Sequence, residues 1–169
     1  MENNQAYLSA GDVAQMIKNG DTTSLEITEL ALSRARDSQN TLNAFITICE
    51  EQAIRDAQNS DKLVSKEKMH GPLHGVPFTV KDLINTKDVR TTMGSKIFEE
   101  NFPRFDAVVV SRLKKAGAIL IGKTTTPEFG HKPFTSSPLF GHTRNAWDQR
   151  RISGGSSGGA AVAAAAGLG

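Results

Sequence analysis

Asp106-Ala107-Val108-Val109-Val110-Ser111-Arg112-Leu113-Lys114-Lys115-Ala116-Gly117-Ala118-Ile119-Leu120-Ile121 changes its hydrophobic period halfway along. Val109, Val110 and Leu113 fall on one side of a helix over 106–116. Gly117 supplies the stop, and the unbroken apolar run 118–121 reads as a short buried strand. Upstream, Phe78-Thr79-Val80-Lys81-Asp82-Leu83-Ile84 reads as another strand, led in by the turn-dense Gly71-Pro72-Leu73-His74-Gly75-Val76-Pro77. Strand, helix and continuous apolar strand, in that order, predict an α/β fold with a parallel or mixed sheet.

Toward the N-terminus the pattern is helical. Ser9-x-x-Asp12 is a capping box with Val13, Met16 and Ile17 behind it, and Asn19-Gly20 is the stop. Thr23-x-x-Glu26 opens a longer helix with Ile27, Leu30, Ala31 and Ala35 on one face. Asn43 to Ile48 is rich in strand formers, and Glu50 to Gln58 is helical again. The charged run Asp61 to Lys68 reads as a linker. This divides the chain into a helical scaffold, residues 1–61, and the start of an α/β core, residues 62–169. From Lys123 the chain is loop-rich, with Pro127, Pro133 and Pro138, up to Ser153-Gly154-Gly155-Ser156-Ser157-Gly158-Gly159 and the helix-prone Ala160 to Ala166.

Composition narrows the function classes. Twenty Lys and Arg against 18 Asp and Glu give a net charge of +2, which excludes a strongly basic nucleic-acid arm and an acidic tail. One cysteine, Cys49, permits neither an internal disulfide nor a cysteine zinc site. The start, Met1-Glu2-Asn3-Asn4-Gln5, lacks the order of a signal peptide. The longest uncharged apolar stretch, Ala160 to Leu168, is far below the ~20 residues that cross a bilayer. The expectation is a soluble, cytoplasmic protein with no nucleic-acid or membrane partner.

Three motif matches fail on physical grounds. Gly117-x4-Gly122-Lys123-Thr124 fits the P-loop expression, but its four variable residues are the apolar strand, and prolines follow where a helix should run. Gly154-x-Ser156-x-Gly158 fits a nucleophile elbow, but Asp148-Gln149-Arg150-Arg151 before it is poor strand material and all four histidines lie upstream. His70-x3-His74 has helical spacing, but Gly71, Pro72 and Gly75 break any helix, leaving two solvated loop imidazoles and no metal site. Lys81 and the glycine-serine loop remain. Lys81 reads either as a lysine snorkelling to solvent from a strand end or as a desolvated amine, neutral in part and able to accept a proton. Asp82 beside it points to the opposite face by strand alternation. The loop reads either as a flexible linker or as a backbone that presents hydroxyl and N–H groups closely to a substrate.

At these residues the sequence resembles the amidase signature family. Gly75-Val76-Pro77-Phe78-Thr79-Val80-Lys81-Asp82 is similar to the segment carrying that family's catalytic lysine. Gly154-Gly155-Ser156-Ser157-Gly158-Gly159-Ala160-Ala161 is similar to the start of the signature. Gly122-Lys123-Thr124-Thr125-Thr126-Pro127-Glu128-Phe129 and Ser137-Pro138-Leu139-Phe140-Gly141 also follow the family's pattern. The likeness runs from about residue 6 to the end in several ordered motifs.

The resemblance implies the N-terminal part of an α/β/α fold with a mixed central sheet covered by helices. It also implies a Ser–cis-Ser–Lys triad, with Lys81 the ultimate base and Ser156 the bridging serine that follows a cis peptide bond. Ser157, Gly155 and Gly158 support the loop, and Gly130 and His131 line the substrate pocket. The family's attacking serine falls about 24 residues after Ser156, beyond Gly169, and the oxyanion hole with it. The expected activity is therefore hydrolysis of a small-molecule amide by the full-length protein, with this stretch inactive by itself. No cofactor or metal is implied, and the expected partners besides the substrate are a second copy in a homo-oligomer or a further C-terminal segment. The alternative is the A subunit of a glutamine-dependent tRNA amidotransferase, or an inert truncated chain. Thr124-Thr125-Thr126-Pro127-Glu128-Phe129 favours the general amidase, because the amidotransferase usually carries Met-Asp-Glu-Phe there.

Overall fold

The structure is a computed structural model that describes residues 7–66 and 68–169. The polar start Met1 to Gln5 and Glu67 of the charged run lie outside the described residues. Both capping boxes form. Ser9 Oγ accepts the Asp12 N–H at 3.1 Å and starts α1 (Ala10–Asn19), which Gly20 ends at φ 80°. Thr23 Oγ1 accepts the Glu26 N–H at 3.0 Å, the Glu26 carboxylate accepts the Thr23 N–H at 2.9 Å, and α2 (Ser24–Leu42) follows.

After β1 (Phe45–Ile48), α3 runs Glu50–Val64, six residues past the sequence expectation. The charged run therefore begins inside a helix. Asp61 does structural duty there: its carboxylate accepts the Ser24 and Leu25 N–H groups at 2.7 and 3.1 Å, satisfying the open amino end of α2. The remaining regular elements are β2 (Pro77–Lys81), α4 (Val108–Lys115), β3 (Ile119–Thr124), the two-residue strands β4 (Ser136–Ser137) and β5 (Gly141–His142), and α5 (Gly158–Ala165).

The main sheet has the order β1-β3-β2, with β1 antiparallel and β2 parallel to the fully buried β3. A mixed α/β sheet is what the hydrophobic runs predict. Alternation along β3 decides what covers each face. Ile119 and Ile121 pack on Ala31 and Leu32 of α2 and Ala53 and Ala57 of α3. Leu120 faces the other way, with Val80 and the fully buried Val110 of α4. α5 packs Val162 and Ala163 against Ala35, Leu42 and Phe45.

Several local expectations change. The strand begun at residue 77 stops at Lys81 rather than Ile84, because the Ile84 N–H turns back to the Lys81 carbonyl at 3.0 Å. β3 runs on through Gly122-Lys123-Thr124, so no phosphate-cradling loop exists there. On α4, Val110 is buried while Val109 stays half exposed. His74 is not a solvated imidazole: it is 2% exposed, its Nδ1 accepts the His70 N–H at 3.2 Å, and its Nε2 therefore donates to the Ser60 carbonyl at 3.1 Å.

Candidate active site

Lys81 is the last residue of β2, and its partly buried side chain crosses to the glycine-serine loop, where Nζ donates to Ser156 Oγ at 2.7 Å. Burial holds its pKa below the ordinary 10.5 of lysine, which raises the share of neutral amine near neutral pH. The peptide bond between Gly155 and Ser156 is cis. Of the two readings left open for each feature, the lysine is not a solvent-directed snorkel, and the loop is not a free linker.

Three glycines of this loop, Gly155, Gly158 and Gly159, sit where no side chain fits, and Gly154 takes a left-handed φ of 74°. A Cβ on Gly155 would come within 2.8 Å of the Phe134 backbone nitrogen, and one on Gly158 would collide with the Thr135 and Ser153 hydroxyls. Thr135 ties the loop on both sides, accepting the Gly158 N–H and donating to the Gly154 carbonyl, each at 2.9 Å. Gly159, in the first turn of α5, leaves no room between the Thr125 backbone and the Ala44 carbonyl. Ser157 is exposed and makes no capping bond to α5. Ile152 forms only an isolated bridge to Arg144, so the strand a nucleophile elbow needs is absent before Ser156.

Gly130, at φ 68°, faces this pair: a Cβ there would lie 3.8 Å from Ser156 Oγ and 2.7 Å from Leu83. His131 is exposed, and its N–H closes a turn on the Glu128 carbonyl at 3.1 Å. Lys81, Ser156, Gly155, Gly158 and Gly130 thus gather in one place, while Ser157 and His131 lie at its surface. Among the described residues no group of three or more His, Cys, Asp or Glu side chains could hold a metal ion. No described helix is long and apolar enough to cross a membrane.

Sequence reasoning passed over a second layer. Behind Lys81, Asp82 and Lys123 are both without solvent exposure, with Nζ 3.5 Å from Oδ1. Asp82 Oδ2 accepts the Thr92 N–H at 2.8 Å and its hydroxyl at 2.6 Å. Lys123 Nζ donates to Thr91 Oγ1 at 2.7 Å and to the Ile84 carbonyl at 2.8 Å. Burial pushes the Asp82 carboxyl up and the Lys123 ammonium down, while their attraction and the Thr92 bonds oppose it. The available signal was a lysine inside a strand with no exposed face, which must find a partner.

A partly desolvated amine bonded to a hydroxyl can take that hydroxyl's proton and return it, the elementary step of a proton relay. The profile of the Amidase family matches residues 26–169. The chain is 38% identical over 95% of its length to the A subunit of glutamyl-tRNA(Gln) amidotransferase from Carboxydothermus hydrogenoformans, and covers 33% of that protein. It is 43% identical over 94% of its length to the protein of the same name from Rhodopirellula baltica, covering 32% of it. The structure of native peptide amidase from Stenotrophomonas maltophilia superimposes with a TM-score of 0.92 at 32% identity, over 98% of this chain and 35% of that one. The chain thus spans about a third of the length of the curated relatives it matches.

Proposed function

The chain belongs to the Amidase family, and on that premise we propose that Lys81 and Ser156 are the base and bridging serine of a Ser–cis-Ser–Lys relay that cleaves a carboxamide C–N bond. The observation that carries this reading is the 2.7 Å hydrogen bond between the Lys81 amine and the Ser156 hydroxyl. In the relay, neutral Lys81 accepts the Ser156 proton while Ser156 accepts that of the attacking serine. The attacking serine is the one the family pattern places beyond residue 169. Its oxygen bonds to the carbonyl carbon, the C–N bond breaks, and the nitrogen leaves with the proton returned through Ser156. Water, or another acceptor, then releases the acyl group. Gly130 lets its segment approach Ser156, since a side chain there would collide with Leu83 at 2.7 Å and come within 3.8 Å of the serine oxygen. The residues around Lys81 and Ser156 supply an amine, hydroxyls and backbone groups, which this chemistry can use without a cofactor.

Two finer readings share this relay. Thr124-Thr125-Thr126-Pro127-Glu128-Phe129 favours a free amidase acting on a small carboxamide. The names of the curated relatives give stronger support to the second. In it the protein is one component of an amidotransferase complex, and the ammonia it frees from glutamine passes to a tRNA-linked acid. That reading brings in a nucleic-acid partner that the charge balance does not predict. Ammonia release by the protein expressed from its whole gene separates the two. A free amidase hydrolyses simple carboxamides regardless of tRNA. An amidotransferase component prefers glutamine and speeds up when its partner proteins and glutamyl-tRNA are added. Release from neither substrate class overturns both.

A further inference from the structure

We propose that the buried Asp82–Lys123 pair is the positioning element that holds Lys81 against Ser156, an inference that rests on the reading of Lys81 as the base. Asp82 follows Lys81 directly, and the polar groups of the two buried residues tie the end of β2 to its surroundings. The Asp82 N–H donates to the Thr124 carbonyl at 3.0 Å, and its carbonyl accepts the Met93 N–H at 3.0 Å. Its carboxylate takes both Thr92 bonds, and Lys123 fixes the turn through the Ile84 carbonyl and the Thr91 hydroxyl.

The same loop reaches the other side of the site. The Met93 carbonyl accepts the Phe129 N–H at 2.8 Å, and the Ser95 hydroxyl donates to Glu128 Oε1 at 2.7 Å. Gly94, at φ 68°, packs against the backbone of residues 126–128 too closely to admit a side chain. Those contacts set Gly130 in front of Ser156. One buried pair therefore grips both the segment that presents Lys81 and the segment that faces its partner.

Stability alone does not explain such a pair. Taking two charges out of water is costly, and apolar replacements of buried pairs are often neutral or better. What an apolar pair cannot do is bond to a backbone carbonyl, an amide and two hydroxyls at once. Asp82 faces Thr92 and Lys123, and burial is the influence acting on the Lys81 amine, so a change in its titration reports its placement.

The test is trace acetylation of Lys81 from neutral to alkaline pH, read by mass spectrometry, in the protein from the whole gene and in its Thr92→Val and Asp82→Asn variants. Circular dichroism monitors the fold, and turnover is followed in the protein from the whole gene. In folded Thr92→Val the labelling midpoint is expected to rise toward that of ordinary lysine, and kcat to fall roughly 10- to 100-fold with KM little changed. Asp82→Asn, where it folds, moves both further. Wild-type labelling in folded variants overturns the proposal. So does failure of Thr92→Val to fold, since the pair would then be a foundation of the domain rather than a positioning device. Labelling does not depend on turnover, so amide cleavage that survives Lys81→Ala would overturn the proposed function while leaving the labelling result intact.

Discussion

The Lys81 amine and the Ser156 hydroxyl meet at 2.7 Å across 75 residues of sequence. Two separate constructions bring them together. β2 ends at Lys81 because Asp82 is drawn into a buried network, and the serine is presented by a loop in which Gly155 packs against the Phe134 backbone and Gly158 against the Thr135 and Ser153 side chains.

The protonation of Lys81 sets the first expectation. Burial lowers its pKa, so the neutral amine appears at a lower pH than in an exposed lysine. The pH profile of kcat/KM for amide cleavage should therefore rise through a limb that lies below 10.5 and flatten above it. A limb at the ordinary lysine value would mean that the amine is not desolvated in the working enzyme.

Gly159→Ala tests the loop's packing. The added methyl would press on the Thr125 nitrogen and the Ala44 carbonyl, both backbone atoms that cannot swing aside. A loss of about 1–3 kcal/mol in urea unfolding is expected. An unchanged midpoint would show that α5 does not sit this close to β3.

Cys49 is expected to be a slow thiol. Burial pushes its pKa up to about 11, although Lys123 and Lys114 pull it down. Iodoacetamide should alkylate it slowly near pH 8, where roughly a quarter of an ordinary thiol of pKa ~8.5 is thiolate. The urea-unfolded chain should react at the ordinary rate, and equal rates in the two states would contradict the burial.

Asp61→Ala removes the acceptor of two N–H groups at the start of α2. The cost should resemble the loss of a helix cap, about 1–2 kcal/mol. A neutral result would return residues 61–68 to the status of a linker.

What the sequence revealed was what is encoded locally. Ser9 with Asp12 and Thr23 with Glu26 announce helix starts because the cap and its partner are three residues apart. The run 118–121 announces a buried strand because no face of it is polar. Lys81 and Ser156 stood out through motif likeness, and their meeting depends on tertiary structure. The features that escaped are held by distant partners. Ser60 buries His74 from another element, Asp61 serves a helix 36 residues away, and Thr92 ends β2 early by capturing Asp82. Lys123 was hidden for the same reason: its partners come from residues 82–91, and nothing beside it in β3 names them.

The most direct measurement is turnover of a carboxamide by the protein from the whole gene with Lys81→Ala and, separately, Ser156→Ala. Each substitution breaks the relay at one of its two linked atoms, so both should lose several orders of magnitude in kcat, and the double variant little more than either alone. Lys81→Ala that retains wild-type turnover at neutral pH would contradict the account.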